Sequence, residues 1–149
     1  MKKAAILIMG LIFMFACQQP GVQTEPIEIE TPRDGVFIHI THDHNNPHRV
    51  LMPLQMASLM VDDRDILIYL DIDAVNLVTK DAEDIAYGHF TPLKEALANL
   101  LEKGVGIYAC PGCMKVAGIE EDDLMEGIQV AQKDRFFDFT EGKIISLTY

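Results

Sequence analysis

The sequence predicts an α/β fold: a mostly parallel sheet of about five strands with helices on both faces. Short runs at residues 36–41 (VFIHIT), 66–71 (ILIYLD), 105–109 (VGIYA) and 143–148 (KIISLT) are near-continuously apolar and rich in β-branched residues, as strands buried on both faces are. Segments with helical spacing or helix-start signals separate them. Strand alternating with helix calls for right-handed crossovers, and such crossovers make neighbouring strands parallel.

After the first strand, residues 43–47 (DHNNP) read as a loop. Val50, Leu51, Leu54, Ala57, Met60 and Val61 then carry helical spacing across residues 48–61. Proline is tolerated in a first helical turn, so Pro53 places the start of this helix near Leu51 or kinks it there. Residues 62–65 form a turn into the second strand, and residues 73–88 are polar and irregular, with a short helix expected around 81–86. Thr91 as N-cap, Pro92 at the first position and Glu95 in the first turns open the next helix. It runs through Ala96, Leu97, Leu100 and Leu101 to a C-terminal cap at Gly104. The third strand leads into a short helical turn at 114–118. Leu124, Met125, Ile128 and Ala131 predict an amphipathic helix over 121–133, ahead of the last strand.

The 149 residues suit one globular domain. Met1-Lys2-Lys3 precedes an uncharged apolar run from Ala4 to Ala16, too short for a membrane span, so residues 1–17 read as a secretory signal. Met14, Phe15 and Ala16 before Cys17 resemble a bacterial lipobox, in which the cysteine is lipidated. The expectation is an exported bacterial lipoprotein, anchored in the membrane through a lipid on Cys17 and facing the periplasm or cell exterior. Residues 18–33, rich in Pro, Gln and Glu, would be a flexible spacer, and residues 34–149 the folded domain. The formal net charge is −11, and loss of Lys2 and Lys3 would make it −13. Such acidity, without a basic and aromatic patch, argues against a nucleic-acid partner.

Cys110-Pro111-Gly112-Cys113, at the end of the third strand, points most directly at chemistry. Two thiols at this spacing close a disulfide, hold a metal, or act as nucleophile and resolver. Cys110 would sit at a strand's carboxyl end and a helix start, where open α/β sheets bind ligands and a thiolate is favoured. His39, His42, His44 and His48 lie within ten residues, and the loop after the first strand should reach the same sheet edge. His42 is a candidate base or thiolate partner. In an alternative reading, His42, His44, Cys110 and Cys113 together bind zinc or copper as an exported metal module. His39 reads as a core residue on a buried strand, and Asp71 and Asp73 as strand-end carboxylates on the same edge.

Residues 104–119 (GVGIYACPGCMKVAGI) and 123–130 (DLMEGIQV) resemble the DsrE/DsrF-like family, small α/β domains that include sulfur-relay proteins. In relay members the persulfide-carrying cysteine directly follows this strand, eight residues before a glycine, as Cys110 precedes Gly118. Many other members have a second cysteine three residues on, where Cys113 stands. Relay members tend to have arginine where this chain has Ala117, and they are cytoplasmic. The resemblance implies a three-layer sandwich and a sulfur carrier or sulfurtransferase with no cofactor of its own. Cys110 would carry sulfane sulfur, Cys113 would resolve it or close a disulfide, and His42 would assist. It also implies a homotrimer or homohexamer that meets sulfur donor and acceptor proteins. A thiol–disulfide redox protein is a further alternative.

Overall fold

The computed structural model describes residues 31–133, 136 and 138–149, and residues 31–149 form one compact unit. The signal, most of the spacer and the lipidation candidate Cys17 lie outside the described residues. Among the described residues five strands form one parallel sheet: β1 (Gly35–Ile40), β2 (Asp65–Leu70), β3 (Gly106–Ala109), β4 (Gln129–Val130) and β5 (Ile144–Thr148), in the order β4-β3-β2-β1-β5. The α/β architecture is the one the strand–helix alternation predicts. Among the described residues three α-helices accompany the sheet: α1 (Pro47–Met60), α2 (Leu93–Glu102) and α3 (Pro111–Ala117).

Side chains alternate across a strand, and here the alternation separates two environments. Val36, Ile38 and Ile40 of β1, with Ile66, Ile68 and Leu70 of β2 and Ile107 and Ala109 of β3, join Val50, Leu51 and Leu54 of α1 and Leu93, Leu97 and Leu100 of α2 in one buried core. Fully burying each large aliphatic side chain contributes roughly 1.5–3 kcal/mol, so this layer drives folding. The opposite set is aromatic. Phe37, His39 and Tyr69 neighbour one another, and Phe136 packs edge-on against Phe37, Tyr69 and Tyr108 at centroid distances of 5.3, 4.9 and 6.2 Å.

Four local expectations are corrected. Residues 121–133 do not form an α-helix: a 3-10 turn at Glu121–Asp123 is followed by the edge strand β4. Gly127 takes φ +86°, and Met125 N–H and Ala131 N–H donate to the carbonyls of Val78 and Ala109. Backbone acceptors on the edge of β3 and at Val78 thus outcompete a helix interrupted by glycine. No helix forms at 81–86; a 3-10 helix lies earlier, at Ile72–Val78. Helix α1 starts at Pro47, which needs no N–H partner there, and continues past Pro53, whose buried ring joins the apolar face. Thr91 does not cap α2, because Pro92 holds the N-cap position. Asp84 serves instead, its Oδ1 accepting from Lys94 N–H at 2.9 Å and Ile85 N–H at 3.0 Å.

Candidate functional site

The third strand delivers Cys110 to the carboxyl edge of the sheet, where its N–H donates to Leu70 O at 2.9 Å and extends the β2–β3 ladder by one residue. Alternation puts the Cys110 side chain on the aromatic face, beside Tyr69. Helix α3 then starts at once. Cys110 is its N-cap, and its sulfur accepts from Cys113 N–H at 3.4 Å. Pro111 fits the first position because it has no donor to satisfy. Buried Met114 anchors the helix, and Gly118 ends it in the left-handed conformation at φ +72°. This accounts for the Cys110-to-Gly118 spacing. It also starts the helix at Pro111, three residues ahead of the predicted turn.

The two sulfurs differ in environment. Burial works against the Cys110 thiolate, but hydrogen bonds from the Tyr69 hydroxyl, the Cys113 thiol and the backbone N–H groups of Cys113 and Gly112 outweigh it, and its pKa is lowered. Cys113 moves the opposite way. Burial, its donation to Cys110 and the nearby negative charges of Cys110 and Asp71 raise its pKa, against an opposing hydrogen bond from Ile72 N–H at 3.1 Å. Tyr69 is raised as well, first by burial and then by its hydrogen bond to Cys110. The result is a directed chain: Ile72 N–H donates to Cys113, and Cys113 and Tyr69 donate to Cys110. Of the two, Cys110 is the more readily ionised and Cys113 the less. Both are free cysteines.

Ile72 is in the left-handed region at φ +51°, an outlier for a β-branched residue. Such strain persists where surrounding structure enforces it, and it concentrates at functional sites. Its N–H is aimed at Cys113, while its side chain is 58% exposed. Behind Tyr69, His39 stacks on the phenol ring at 5.6 Å, with Nε2 at 2.9 Å from Asp71 Oδ1. Both atoms are sealed from solvent, and their approach falls outside hydrogen-bond geometry.

A groove of about 570 Å³ opens beside the thiols, lined by Ile72, Asp73 and Asn76 on one side and Gly112, Cys113 and Val116 on the other. Cys113 lines it; Cys110 does not. A second groove, of about 530 Å³, lies at the amino edge of the sheet. Its cations Arg33, Arg64 and Lys103 already pair with Asp65, Asp63 and Asp62 at 3.5, 3.1 and 3.0 Å.

Of the residues singled out from sequence, Cys110 and Cys113 come together. The hydrogen bonds of the loop histidines go to other partners. His42 Nδ1 is 2.9 Å from Thr41 Oγ1, and His44 Nε2 is 2.9 Å from Glu83 O. Among the described residues no group of three or more His, Cys, Asp or Glu side chains is placed to hold a metal ion. The four-residue zinc or copper set is therefore not assembled, because His44 is drawn to the loop before α2. Among the described residues no helix is long and apolar enough to cross a membrane.

A model of the DsrE/DsrF-like family matches residues 34–141, well over half of the chain. The chain belongs to the DsrE/DsrF-like family. Among curated proteins it is similar to uncharacterized protein MJ0760 of Methanocaldococcus jannaschii, 26% identical over 121 residues, covering 80% of this chain and 44% of that one. It is also similar to uncharacterized protein MK0008 of Methanopyrus kandleri, 26% identical over 99 residues, covering 66% of this chain and 79% of that one. The chain thus spans less than half the length of the first of these relatives. Among solved structures, the ychN protein from E. coli superposes with a TM-score of 0.62 at 18% identity, covering 78% of this chain and 99% of that one. Protein MTH1491 from Methanobacterium thermoautotrophicum, described as of unknown function, gives a TM-score of 0.56 at 23% identity, covering 76% and 98%. These likenesses establish the shared DsrE-like fold.

Within this DsrE-like domain, Tyr69, His39 and Ile72 are the site residues that sequence reasoning missed. A signal for the first two was present. Phe37, His39, Tyr69 and Tyr108 place a ring at alternate positions of strands otherwise filled by aliphatic residues. Register then puts His39 opposite Tyr69 and Tyr69 opposite Tyr108. Nothing local in the sequence marks the left-handed backbone of Ile72.

Proposed function

We propose that the protein carries or transfers sulfane sulfur, with Cys110 as the accepting nucleophile. The observation that carries this reading is the set of donors gathered on Cys110: the Tyr69 hydroxyl, the Cys113 thiol and two backbone N–H groups. Membership of the DsrE/DsrF-like family agrees with a sulfur-relay type of function. The Cys110 thiolate attacks the sulfane sulfur of an organic persulfide or polysulfide. A new S–S bond forms, the donor's S–S bond breaks, and the donor leaves as a thiolate that takes a proton from solvent. No external oxidant or reductant enters. The four donors then hold the inner sulfur of the persulfide. Tyr69 assists by donating to that sulfur, with His42 as a second candidate partner.

The same reading extends to location and assembly. The basic start, apolar run and Cys17 support export and a lipid anchor facing the periplasm or cell exterior. The exposed apolar edge at Ile144 and Ile145 supports a homo-oligomer, a trimer or hexamer by family resemblance. Sulfur donor and acceptor proteins complete the scheme.

The test is intact mass and peptide mapping of the reduced protein after treatment with inorganic polysulfide, using protein isolated from its native membrane. The expected result is one added sulfur atom on the Cys110 peptide, absent in Cys110→Ser, together with an acylated Cys17. A Cys110 that takes up no sulfur under conditions that modify free cysteine ends the sulfur-carrying reading. Recovery only as a Cys110–Cys113 disulfide would favour the dithiol redox alternative, for which the hydrogen bond between the two sulfurs speaks.

A further inference from the structure

The thiols are presented to different surroundings. Cys110 is turned toward Tyr69 on the aromatic face, whereas Cys113 forms part of the wall of the open groove between the 3-10 helix Ile72–Val78 and α3. Val116, 90% exposed, and Ile72, 58% exposed, give the groove an apolar rim. Among the described residues its polar groups are Asp73, Asn76 and the Cys113 thiol, and no Lys, Arg or His lines it. An anionic ligand would meet the Asp73 carboxylate without a compensating cation among the described lining residues, on a chain of net charge −11. A cationic or neutral ligand with an apolar body meets complementary charge and surface.

We propose that this groove is the discharge site, where Cys113 passes sulfane sulfur to an acceptor thiol that is cationic or neutral and has an apolar surround. The inference rests on the sulfur-carrying reading above and adds its exit. Cys113, deprotonated to solvent, attacks the outer sulfur of the Cys110 persulfide. The Cys113–sulfur bond forms, the bond to Cys110 Sγ breaks, and Cys110 recovers its thiolate. The acceptor thiolate entering the groove then attacks the outer sulfur on Cys113. It leaves as a persulfide, with Cys113 released as a thiolate that regains a proton. Sulfur is conserved and no net oxidation occurs. Attack by Cys113 on the inner sulfur would instead release sulfide and close a disulfide, a product the experiment detects.

The test uses full-length protein loaded with polysulfide, with sulfur on Cys110 counted by mass spectrometry before an acceptor is added. Cysteamine and 3-mercaptopropionate, near-isosteric thiols of opposite charge, are compared at equal thiolate concentration, and each rate is taken per loaded Cys110. Cysteamine is expected to be faster by about fivefold, the effect of one partly screened charge contact. Asp73→Asn is expected to bring the ratio toward unity. In Cys113→Ser, discharge per loaded Cys110 is expected to fall at least about tenfold. Equal rates for the two thiols, a ratio insensitive to Asp73→Asn, or wild-type discharge by Cys113→Ser each overturn the proposal. So does quantitative sulfide release with disulfide closure. A wild-type chain that never loads Cys110 fails the earlier reading instead, so the two failures are distinguishable.

Discussion

Replacing Tyr69 by Phe removes one hydroxyl and leaves the ring that stacks on His39 and packs against Phe136. Because that hydroxyl donates to Cys110, its loss withdraws stabilisation from the thiolate alone. A hydrogen bond to a charged group is worth about 1.5–3 kcal/mol, so alkylation of Cys110 by iodoacetamide at neutral pH should slow by roughly tenfold. The sign follows from the direction of the shift. Cys110 is lowered in the folded chain, so its reactivity rises at lower pH than that of free cysteine, and Tyr69→Phe moves the rise to higher pH. Cys113 is raised, so its own alkylation begins at higher pH still. Peptide mapping across a pH series checks both, and equal profiles for the two cysteines would contradict the assignment of nucleophile. The sequence made the thiol pair legible because covalent spacing fixes it. Tyr69 was hidden because its approach to Cys110 depends on which strands pair and in what register.

The 3-10 helix Ile72–Val78 contributes a strained residue to the site, and that strain has a measurable cost. A left-handed residue with a β-carbon is disfavoured by about 1–2 kcal/mol, while glycine's greater freedom in the unfolded chain returns about 0.5–1 kcal/mol of this. Ile72→Gly is therefore expected to stabilise the folded state by about 0.5–1 kcal/mol, read as a higher urea midpoint at unchanged slope. Ile72→Val stays β-branched and should gain nothing. A destabilised glycine variant would mean that the exposed Ile72 side chain contributes more than its backbone loses. Elements with strong local patterns were legible: β1, β2, β3, β5 and α2 fall close to where apolar runs and spacing put them. The region around β4 was not, because Leu124 and Ile128 are four apart and imitate a helical face. Both are buried, but around Gly127 at φ +86° the backbone turns to meet the free edge of β3. Helix α1 erred in the other direction. Pro53 suggested a late start or a kink, yet its place on the buried face lets tertiary packing outweigh a missing hydrogen bond.

At the scale of the whole molecule, the sheet of the described residues ends on one side at β5, which among them pairs with β1 alone. Its register places Ile145 beside Val36, on the side of the sheet that α1 and α2 cover elsewhere, yet Ile145 is 55% exposed and Ile144 44% exposed. An open edge strand with apolar side chains invites pairing with another chain unless charge or proline blunts it. Residues 144–148 carry neither. The acidic surface opposes random association, so contact is expected to concentrate on this apolar edge, consistent with the homotrimer or homohexamer proposed above. Light scattering and sedimentation velocity on the wild-type chain should give a defined multiple of its mass. Ile145→Lys places a charge where each copy would bury an isoleucine. Losing that burial costs about 1.5–3 kcal/mol per site, or roughly ten- to hundredfold in the dissociation constant. The variant should therefore dissociate at concentrations where the wild type remains assembled. Unchanged far-ultraviolet circular dichroism and an unchanged urea slope would confirm that the fold persists. A wild-type chain that sediments as a single copy at every concentration refutes the assembly, and an Ile145→Lys chain that stays fully assembled moves the interface away from β5.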